Sequence, residues 1–200
     1  MPQVKIFAGS ASKYLAEKIA TAYGTQLGDL ELLRFSDGEM APHFNESVRG
    51  AEVFLVQSTF PPADNLMELM LMVDAAKRAS AHKVIVVMPY YGYARQDRKD
   101  KPRVSIGSKV VANAIQSVGA DRLMTCDLHA GQIQGFFDIP VDHLDGSAIF
   151  VPYLRSLNLG NDLIFASPDV GGVVRTRAFA KNFGAEMVVC DKHRKRANEI

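Results

Sequence analysis

VIVVMPYYGYAR, residues 84–95, is the stretch of sequence that decides the fold class of this chain. Its first five residues are a continuous apolar run, mostly β-branched, which is typical of a strand buried on both faces of a parallel sheet. The other seven form a polar and aromatic loop that ends at Arg95. Ligands of parallel α/β sheets bind at the carboxyl ends of the strands, so the sequence predicts a binding loop directly after this strand.

Similar apolar runs occur on both sides of this stretch and alternate with segments of helical period. The predicted strands are Val4–Ala8, Leu30–Phe35, Val53–Gln57, Val84–Met88, Leu123–Cys126, Leu163–Ala166 and Met187–Cys190. In the segment after Val53–Gln57, Leu66, Leu69 and Val73 recur at helical spacing, and we expect Asp64 to cap that helix. The alternation predicts an α/β fold, with a parallel sheet flanked by helices.

A domain boundary is predicted near Asp145 and Gly146, where the long loop after the fifth strand unit ends. It separates an N-terminal α/β domain, residues 1–145, from the first part of a second, similar α/β domain, residues 146–200. Only two strands are predicted in the second segment, which is thin for an independent core because small domains bury little apolar surface.

The composition is that of a globular protein, with 200 residues of which 48% are apolar and 22% charged. Cys126 and Cys190 are the two cysteines, and both lie in apolar strand-like runs. A disulfide framework is therefore not expected, and a reducing compartment fits best. The N-terminus lacks a signal-peptide pattern, and no run approaches the roughly 20 apolar residues of a membrane span. We expect a cytoplasmic protein that does not enter a membrane.

Positive charge is concentrated at two places, although the formal net charge is only +1. Residues 95–103 contain five basic and two acidic side chains, and Lys192, Arg194, Lys195 and Arg196 form a second basic cluster. Such clusters in a nearly neutral protein favour a small polyanion as ligand. The second cluster could also be a nucleic-acid patch, but it lacks interleaved aromatic residues and a broader basic face, so nucleic acid is not the expected partner.

Asp127 and His129 flank Leu128 directly after a predicted strand. In extended backbone both polar side chains would point to the same side, with Leu128 turned toward the core. Such a pair can hold a cation. The same two residues also fit an ordinary strand-end cap with a satisfied histidine, and the pair alone leaves both readings open.

The longer segment around this pair, DLHAGQIQGFFDIPVD at residues 127–142, resembles the signature of ribose-phosphate pyrophosphokinases over all sixteen positions. Other stretches resemble that family in the same order along the chain: FSDGE at 35–39, NESVRG at 45–50, DNLMEL at 64–69, YARQDRKD at 93–100 and residues 192–199. The chain is thus similar to the bacterial class I type of the family, without its C-terminal part. The resemblance implies a phosphoribosyltransferase-like fold.

The resemblance also implies an activity. Members of this family transfer the pyrophosphoryl group of Mg-ATP to the 1-hydroxyl of ribose 5-phosphate, giving phosphoribosyl pyrophosphate and AMP for nucleotide biosynthesis. Mg²⁺ is the expected cofactor. A cytoplasmic homo-oligomer, in the family a hexamer, is the expected assembly.

The roles of individual residues follow from the same resemblance. Lys192 and Arg194 are the expected catalytic residues, and Arg194 is also expected to bind substrate. ATP is expected to contact Arg95 and Gln96, with Phe35, Asp37, Gly38 and Glu39 supplied by a neighbouring subunit. His129 and Asp169 are expected at the metal, with Asp127 as a further candidate. Ser47 and Arg49 match positions of an allosteric phosphate site. Without the family context, the segment 35–39 reads as a plain turn, because Ser-Asp-Gly is strong turn chemistry.

Two further interpretations compete with this one. The family's paired acidic residues and Thr-Gly loop, which hold the 5-phosphate of ribose, have no counterpart in these 200 residues. A non-catalytic or truncated family member that binds nucleotide and assembles with or regulates the active enzyme is therefore an alternative, although Lys192 and Arg194 argue against it. A phosphoribosyltransferase is less expected, because the absent loop is its defining motif.

Overall fold

The computed structural model describes residues 2–160 and 162–190. The chain divides into two compact units, Met1–Leu144 and Asp145–Ile200. This division falls one residue from the predicted boundary, and the interpretation of the second unit as the start of another domain stays a prediction.

The first unit is built around a parallel sheet that the apolar runs of the sequence form. Its strands are β1 (Val4–Ala8), β4 (Glu52–Val56), β5 (Lys83–Met88), β6 (Arg122–Cys126) and β7 (Val141–Leu144), in the order β1-β4-β5-β6-β7. Every neighbouring pair is parallel. Helices α1 (Lys13–Tyr23), α2 (Asp64–Arg78) and α3 (Gly107–Ser117) connect the strands. The predicted α/β class with a parallel sheet flanked by helices is confirmed.

Two strands of this unit form a hairpin outside the sheet. β2 (Leu30–Arg34) pairs antiparallel with β3 (Met40–Phe44), in register from Leu30 opposite Phe44 to Arg34 opposite Met40. The expectation that Leu30–Phe35 lies in the parallel sheet is wrong. β3 and β7 were not predicted as strands at all.

Helix α2 buries one face on the sheet. Leu69 and Val73 are fully buried, as its apolar spacing predicts. The predicted cap is wrong, because Asp64 is the first helical residue and Ala63 occupies the N-cap position. Glu68 on the same helix is also buried, where its carboxylate accepts hydrogen bonds from the Ser10 backbone N–H at 2.7 Å and from Gln57 Nε2 at 3.1 Å. These bonds hold the loop after β1 and compensate the burial of a charged group.

The second unit contains α4 (Ser147–Ser156), β8 (Ile164–Ser167), α5 (Val173–Phe183) and β9 (Glu186–Val189). β8 and β9 pair in parallel. Phe165 packs beside Phe183, with ring centroids 5.4 Å apart. None of the helices in residues 2–160 and 162–190 combines the length and the apolar character needed to cross a membrane.

Candidate functional site

The loops that follow β5 and β6 line one open cleft of about 560 Å³. Because β5 and β6 are parallel neighbours, the loops at their carboxyl ends emerge side by side. The lining residues are Arg95, Gln96, Asp97, Arg98, Asp100, Lys101, Val104, Ser105 and His129. The structure therefore brings two predicted nucleotide residues, Arg95 and Gln96, together with the predicted metal residue His129.

Hydrogen bonds and close backbone packing fix the first part of the loop after β5, before that loop reaches the cleft. The buried Tyr91 hydroxyl donates a hydrogen bond to the Ser108 carbonyl at 2.7 Å, and burial raises the pKa of Tyr91. Gly92 N–H donates to Thr59 Oγ1 at 2.8 Å, and a Cβ at Gly92 would lie 2.1 Å from the Thr59 carbonyl oxygen. Only glycine fits so close to another backbone. The aromatic run thus anchors the loop, while Arg95 beyond it is exposed.

Gln96 lies against the start of α3. Its backbone carbonyl accepts a hydrogen bond from the Ser108 N–H at 3.1 Å, and a Cβ at Gly107 would lie 2.5 Å from Gln96 Oε1. The first backbone N–H groups of a helix have no partner within the helix, and here the Gln96 carbonyl satisfies one of them. Gln96 therefore joins the cleft wall to the start of α3.

The segment 127–129 is a turn, so the expected extended backbone is wrong. Asp127 has a positive φ of 42°, in the left-handed region. Leu128 is buried, as expected, while Asp127 and His129 are exposed. The turn is stabilised by β7, because Asp127 N–H donates to the Leu144 carbonyl at 3.0 Å and Leu128 N–H donates to His143 Nε2 at 3.0 Å. Burial, followed by the charge of Asp127, raises the pKa of the neighbouring Cys126 thiol.

The predicted ATP residues at 35–39 form the tip of the β2–β3 hairpin. Phe35 N–H donates to the Glu39 carbonyl at 2.9 Å, Glu39 N–H donates to Asp37 Oδ1 at 3.0 Å, and Gly38 has a φ of 96°. The segment is thus a turn. Phe35 is 54% exposed. As far as the structure describes the chain, Phe35, Asp37, Gly38 and Glu39 do not line the cleft of Arg95 and His129.

Asp169 lies in the second unit, at the start of a short 3-10 turn that leads into α5. Its side chain accepts a hydrogen bond from Gly172 N–H at 3.0 Å, and its carbonyl accepts one from Ser167 Oγ at 2.7 Å. A Cβ at Gly172 would lie 2.6 Å from Ser167 Oγ. These contacts fix the carboxylate at a helix start. Its predicted role at a metal stays a prediction.

Within residues 2–160 and 162–190, no group of three or more His, Cys, Asp or Glu side chains forms a metal cluster. Mg²⁺ does not require one, since it is often bound through one or two carboxylates, several waters and the phosphates of a nucleotide. The exposed carboxylate of Asp127 beside His129 fits that mode of binding, in which the protein supplies few ligands.

Ser47 and Arg49 lie away from the cleft. Both are exposed, and Val48 between them is buried in the core. They precede β4 and so lie at the amino end of that strand, whereas the cleft lies at the carboxyl ends of β5 and β6. A phosphate site at Ser47 and Arg49 would therefore be distinct from the cleft in the same chain.

The remaining predicted residues, Lys192 and Arg194, lie outside the described residues. In the charged stretch 95–103, Arg95 and Gln96 were the residues expected to contact ATP, whereas Arg98, Lys101 and Ser105 also line the cleft. The alternating signs of that stretch were the available signal. His143, which accepts the hydrogen bond from Leu128 N–H, was missed because the strand that contains it, β7, was not predicted.

The chain is similar in sequence to known proteins. Residues 4–119 match the sequence profile of the N-terminal domain of ribose phosphate pyrophosphokinase. The ribose-phosphate pyrophosphokinases of Porphyromonas gingivalis and Chlorobaculum tepidum are 57% and 55% identical to the chain over 98% of its length. The match covers 62% and 60% of those two proteins, so the chain spans about three fifths of the length of the curated relatives it matches.

A solved structure is similar over nearly the whole chain. The crystal structure of phosphoribosylpyrophosphate synthetase from Mycobacterium smegmatis aligns with a TM-score of 0.91 at 36% identity, covering 96% of this chain and 65% of that one. Sequence and fold therefore agree, and the resemblance read from the motifs is confirmed: the chain belongs to the ribose-phosphate pyrophosphokinase family.

Proposed function

We propose that the protein transfers the pyrophosphoryl group of Mg-ATP to the 1-hydroxyl of ribose 5-phosphate in the cytoplasm, giving phosphoribosyl pyrophosphate and AMP. The observation that supports this most is the cleft in which Arg95, Gln96 and His129 meet at the carboxyl ends of two neighbouring strands. The names of the relatives from Porphyromonas gingivalis and Chlorobaculum tepidum support the same activity.

The charge of the cleft suits the triphosphate of ATP. In this reaction the 1-hydroxyl oxygen forms a bond to the β-phosphorus, the α,β-bridging bond breaks, AMP leaves and the hydroxyl proton is lost. Negative charge must be offset throughout, and preorganised cations do this best in a site that excludes water. Arg95 can bind a phosphate through two parallel N–H groups, while Lys101 acts as a compact point charge. Arg98 supplies a third cation in the same lining.

On the basis of the family resemblance, His129 and Asp169 are proposed as Mg²⁺ residues, with Asp127 as a further candidate. When bound, the ion would neutralise charge on the phosphates of the nucleotide. Histidine is an uncommon ligand for this ion, so a contact from His129 through a water molecule is part of the proposal. The residues of the chain would then orient the nucleotide so that the β-phosphorus faces the hydroxyl.

Lys192 and Arg194 are proposed as the catalytic pair on the basis of the family resemblance. Their two positive charges suit the phosphates of ATP. Arg194 would also contact the substrate. Neither residue replaces the other well, because guanidinium is a planar multidentate donor and ammonium is not.

AMP formation that depends on ribose 5-phosphate tests the proposal. The protein at its natural length should form AMP from Mg-ATP only when ribose 5-phosphate is present. Arg95→Ala should raise the KM for ATP by about tenfold or more, because a charged hydrogen bond contributes about 1.5–3 kcal/mol. Arg78→Ala is the matched control, since Arg78 is exposed at the end of α2 and pairs with Asp74 at 2.7 Å.

Two results would overturn the proposal. Folded protein of natural length that binds ATP and forms no AMP would instead support a non-catalytic family member. Pyrophosphate release from phosphoribosyl pyrophosphate in the presence of a nucleobase, without use of ATP, would support a phosphoribosyltransferase.

A further inference from the structure

His143 lies on β7, the edge strand of the parallel sheet, and pairs in register with Thr125 of β6. It is half-buried and does not line the cleft. The resemblance gave it no role, and it is fourteen positions away from His129 in the sequence. Its contact with the turn after β6 nevertheless connects it to the cleft.

The contact is a hydrogen bond from Leu128 N–H to His143 Nε2, with the two nitrogens 3.0 Å apart. One residue earlier, Asp127 N–H donates to the Leu144 carbonyl at 3.0 Å, which extends the β6–β7 ladder by one bond. At Leu128 the backbone has already turned, since Asp127 has a φ of 42°. The imidazole nitrogen thus accepts a backbone hydrogen bond from a residue that has left the ladder.

This bond requires a particular form of the imidazole. A ring nitrogen that accepts from an N–H group carries no proton, so Nδ1 is the protonated nitrogen of His143. The Leu128 side chain is buried at the same time, with 5% of its surface exposed. Leu128 is therefore held from two directions, by the core through its side chain and by His143 through its N–H. Asp127 and His129 are the neighbours on either side.

We infer that His143 is a positioning residue for the proposed reaction, which keeps His129 in the wall of the cleft by fixing the backbone at Leu128. The inference rests on the proposed function. Groups that orient the residues of a metal and phosphate site act through geometry, and a displacement of about 1 Å can cost two orders of magnitude in rate. A loosened turn would weaken binding of Mg-ATP without removing any group that touches it.

Two substitutions of His143 distinguish the loss of the hydrogen-bond acceptor from a change in side-chain volume. Glutamine can place Oε1 at about the distance from the backbone that Nε2 has in histidine, whereas methionine has similar length and no comparable acceptor. We expect His143→Met to raise the Kd for Mg-ATP, measured by calorimetry without ribose 5-phosphate, by about tenfold. His143→Gln should retain most of the affinity. His82→Met, which changes an exposed histidine directly before β5, at the amino end of that strand, should change nothing.

If His143→Met does not fold, a change to the donor, the Leu128 backbone N–H, still tests the role of the hydrogen bond. Replacing the Leu128 amide by an ester removes the same hydrogen bond and leaves His143 intact. It should raise the Kd by a similar factor, and adding His143→Met to it should raise the Kd little further, since both changes remove one bond. The melting temperature of each variant reports a loss of stability separately from the loss of binding.

The outcomes distinguish this inference from the proposed function. Natural-length protein that binds no Mg-ATP overturns both. Normal binding and turnover in the unmodified protein, with equal affinity in the Gln, Met and ester forms, overturns the role of His143 alone. Equal losses in the Gln and Met forms also overturn it, because the acceptor would then not matter.

Discussion

Glu46 lies in the loop between β3 and β4, where its carboxylate accepts hydrogen bonds from the Lys5 ammonium group and from Asp29 N–H at 2.9 Å. The hydrogen bond from Lys5 lowers the pKa of Glu46, against a smaller opposing effect of burial. Its folded pKa is thus below its unfolded pKa. The stabilisation is complete above the unfolded pKa and is lost as the pH falls through the lowered folded value.

Glu46→Gln should therefore reduce the acid sensitivity of the fold. We expect the unmodified protein to lose more unfolding free energy than the variant as the pH falls through the acidic range, with the two curves converging at the acidic end. Urea unfolding at a series of pH values measures this. Glu31→Gln, at an exposed position of β2, is the control and should leave the slope unchanged. Parallel curves for Glu46→Gln and the unmodified protein would contradict the prediction.

At the scale of single residues, the sequence predicted which residues lie near each other better than it predicted their backbone conformation. Arg95 and His129 could be placed together because the carboxyl ends of parallel strands share an edge, which is a rule of topology. The burial of Leu128 followed from its apolar side chain. The left-handed backbone of Asp127 and the hydrogen bond from Leu128 N–H to His143 could not be predicted from the sequence. Both depend on the pairing of β6 with a strand that was not predicted.

The connection from β6 to β7 is stabilised by α3 through two side chains. Lys109 Nζ donates to the Phe136 carbonyl at 2.6 Å. Gln116 Oε1 accepts from the backbone N–H groups of Asp138 and Ile139, the latter at 3.2 Å. The part of the signature segment that follows His129 is thus held on a helix, and β7, the strand that carries His143, begins at Val141 within that segment.

Gln116→Met should loosen this connection. The change keeps the length of the side chain and removes the acceptor, so the Ile139 amide loses its partner and we expect a cost of about 1 kcal/mol in unfolding free energy. Hydrogen exchange at the Ile139 amide should become faster. Gln134→Met is the matched control, because Gln134 Nε2 donates to the Gly131 carbonyl within the same turn. Unchanged exchange at Ile139 would show that the helix does not hold the connection.

The strands that the sequence missed have a physical explanation. β3 contains Pro42, which lacks a backbone N–H and argues against a strand in the interior of a sheet. In a two-stranded hairpin both strands are edges, so Pro42 is tolerated there opposite Leu32. β7 is four residues long and has Asp142 and His143 at its centre. Short polar edge strands lack the apolar run by which the buried strands were recognised.

At the scale of the whole molecule, the two units differ in how much apolar surface they bury. In the first unit, a cluster that includes Leu55, Leu69 and Leu123 is fully buried. Among the described residues of the second unit only Ser167 and Ala180 are buried, and Ile149 is 74% exposed. The described part of the second unit would therefore be marginal if isolated, because it buries little apolar surface.

The homo-oligomer that the family resemblance implies leads to a prediction about the tip of the β2–β3 hairpin. Phe35 is exposed, and within the described residues it does not line the cleft of its own chain. If the tip completes the nucleotide site of a neighbouring subunit, Phe35→Ala and Arg95→Ala damage opposite sides of each shared site. A mixed dimer of the two variants then contains one site with both defects and one site with neither.

Mixing the two variants, assayed at an ATP concentration at which each variant alone is impaired, should therefore restore activity. Random reassembly into dimers would make half of them mixed and return about a quarter of the unmodified activity, measured as AMP formation. Arg95→Ala mixed with His129→Gln is the control, since both positions line the cleft of a single chain and no site would be intact. Activity that stays at the level of the separate variants, or sedimentation as a strict monomer, would place the Phe35 tip outside the nucleotide site, because no neighbouring chain would then complete the cleft.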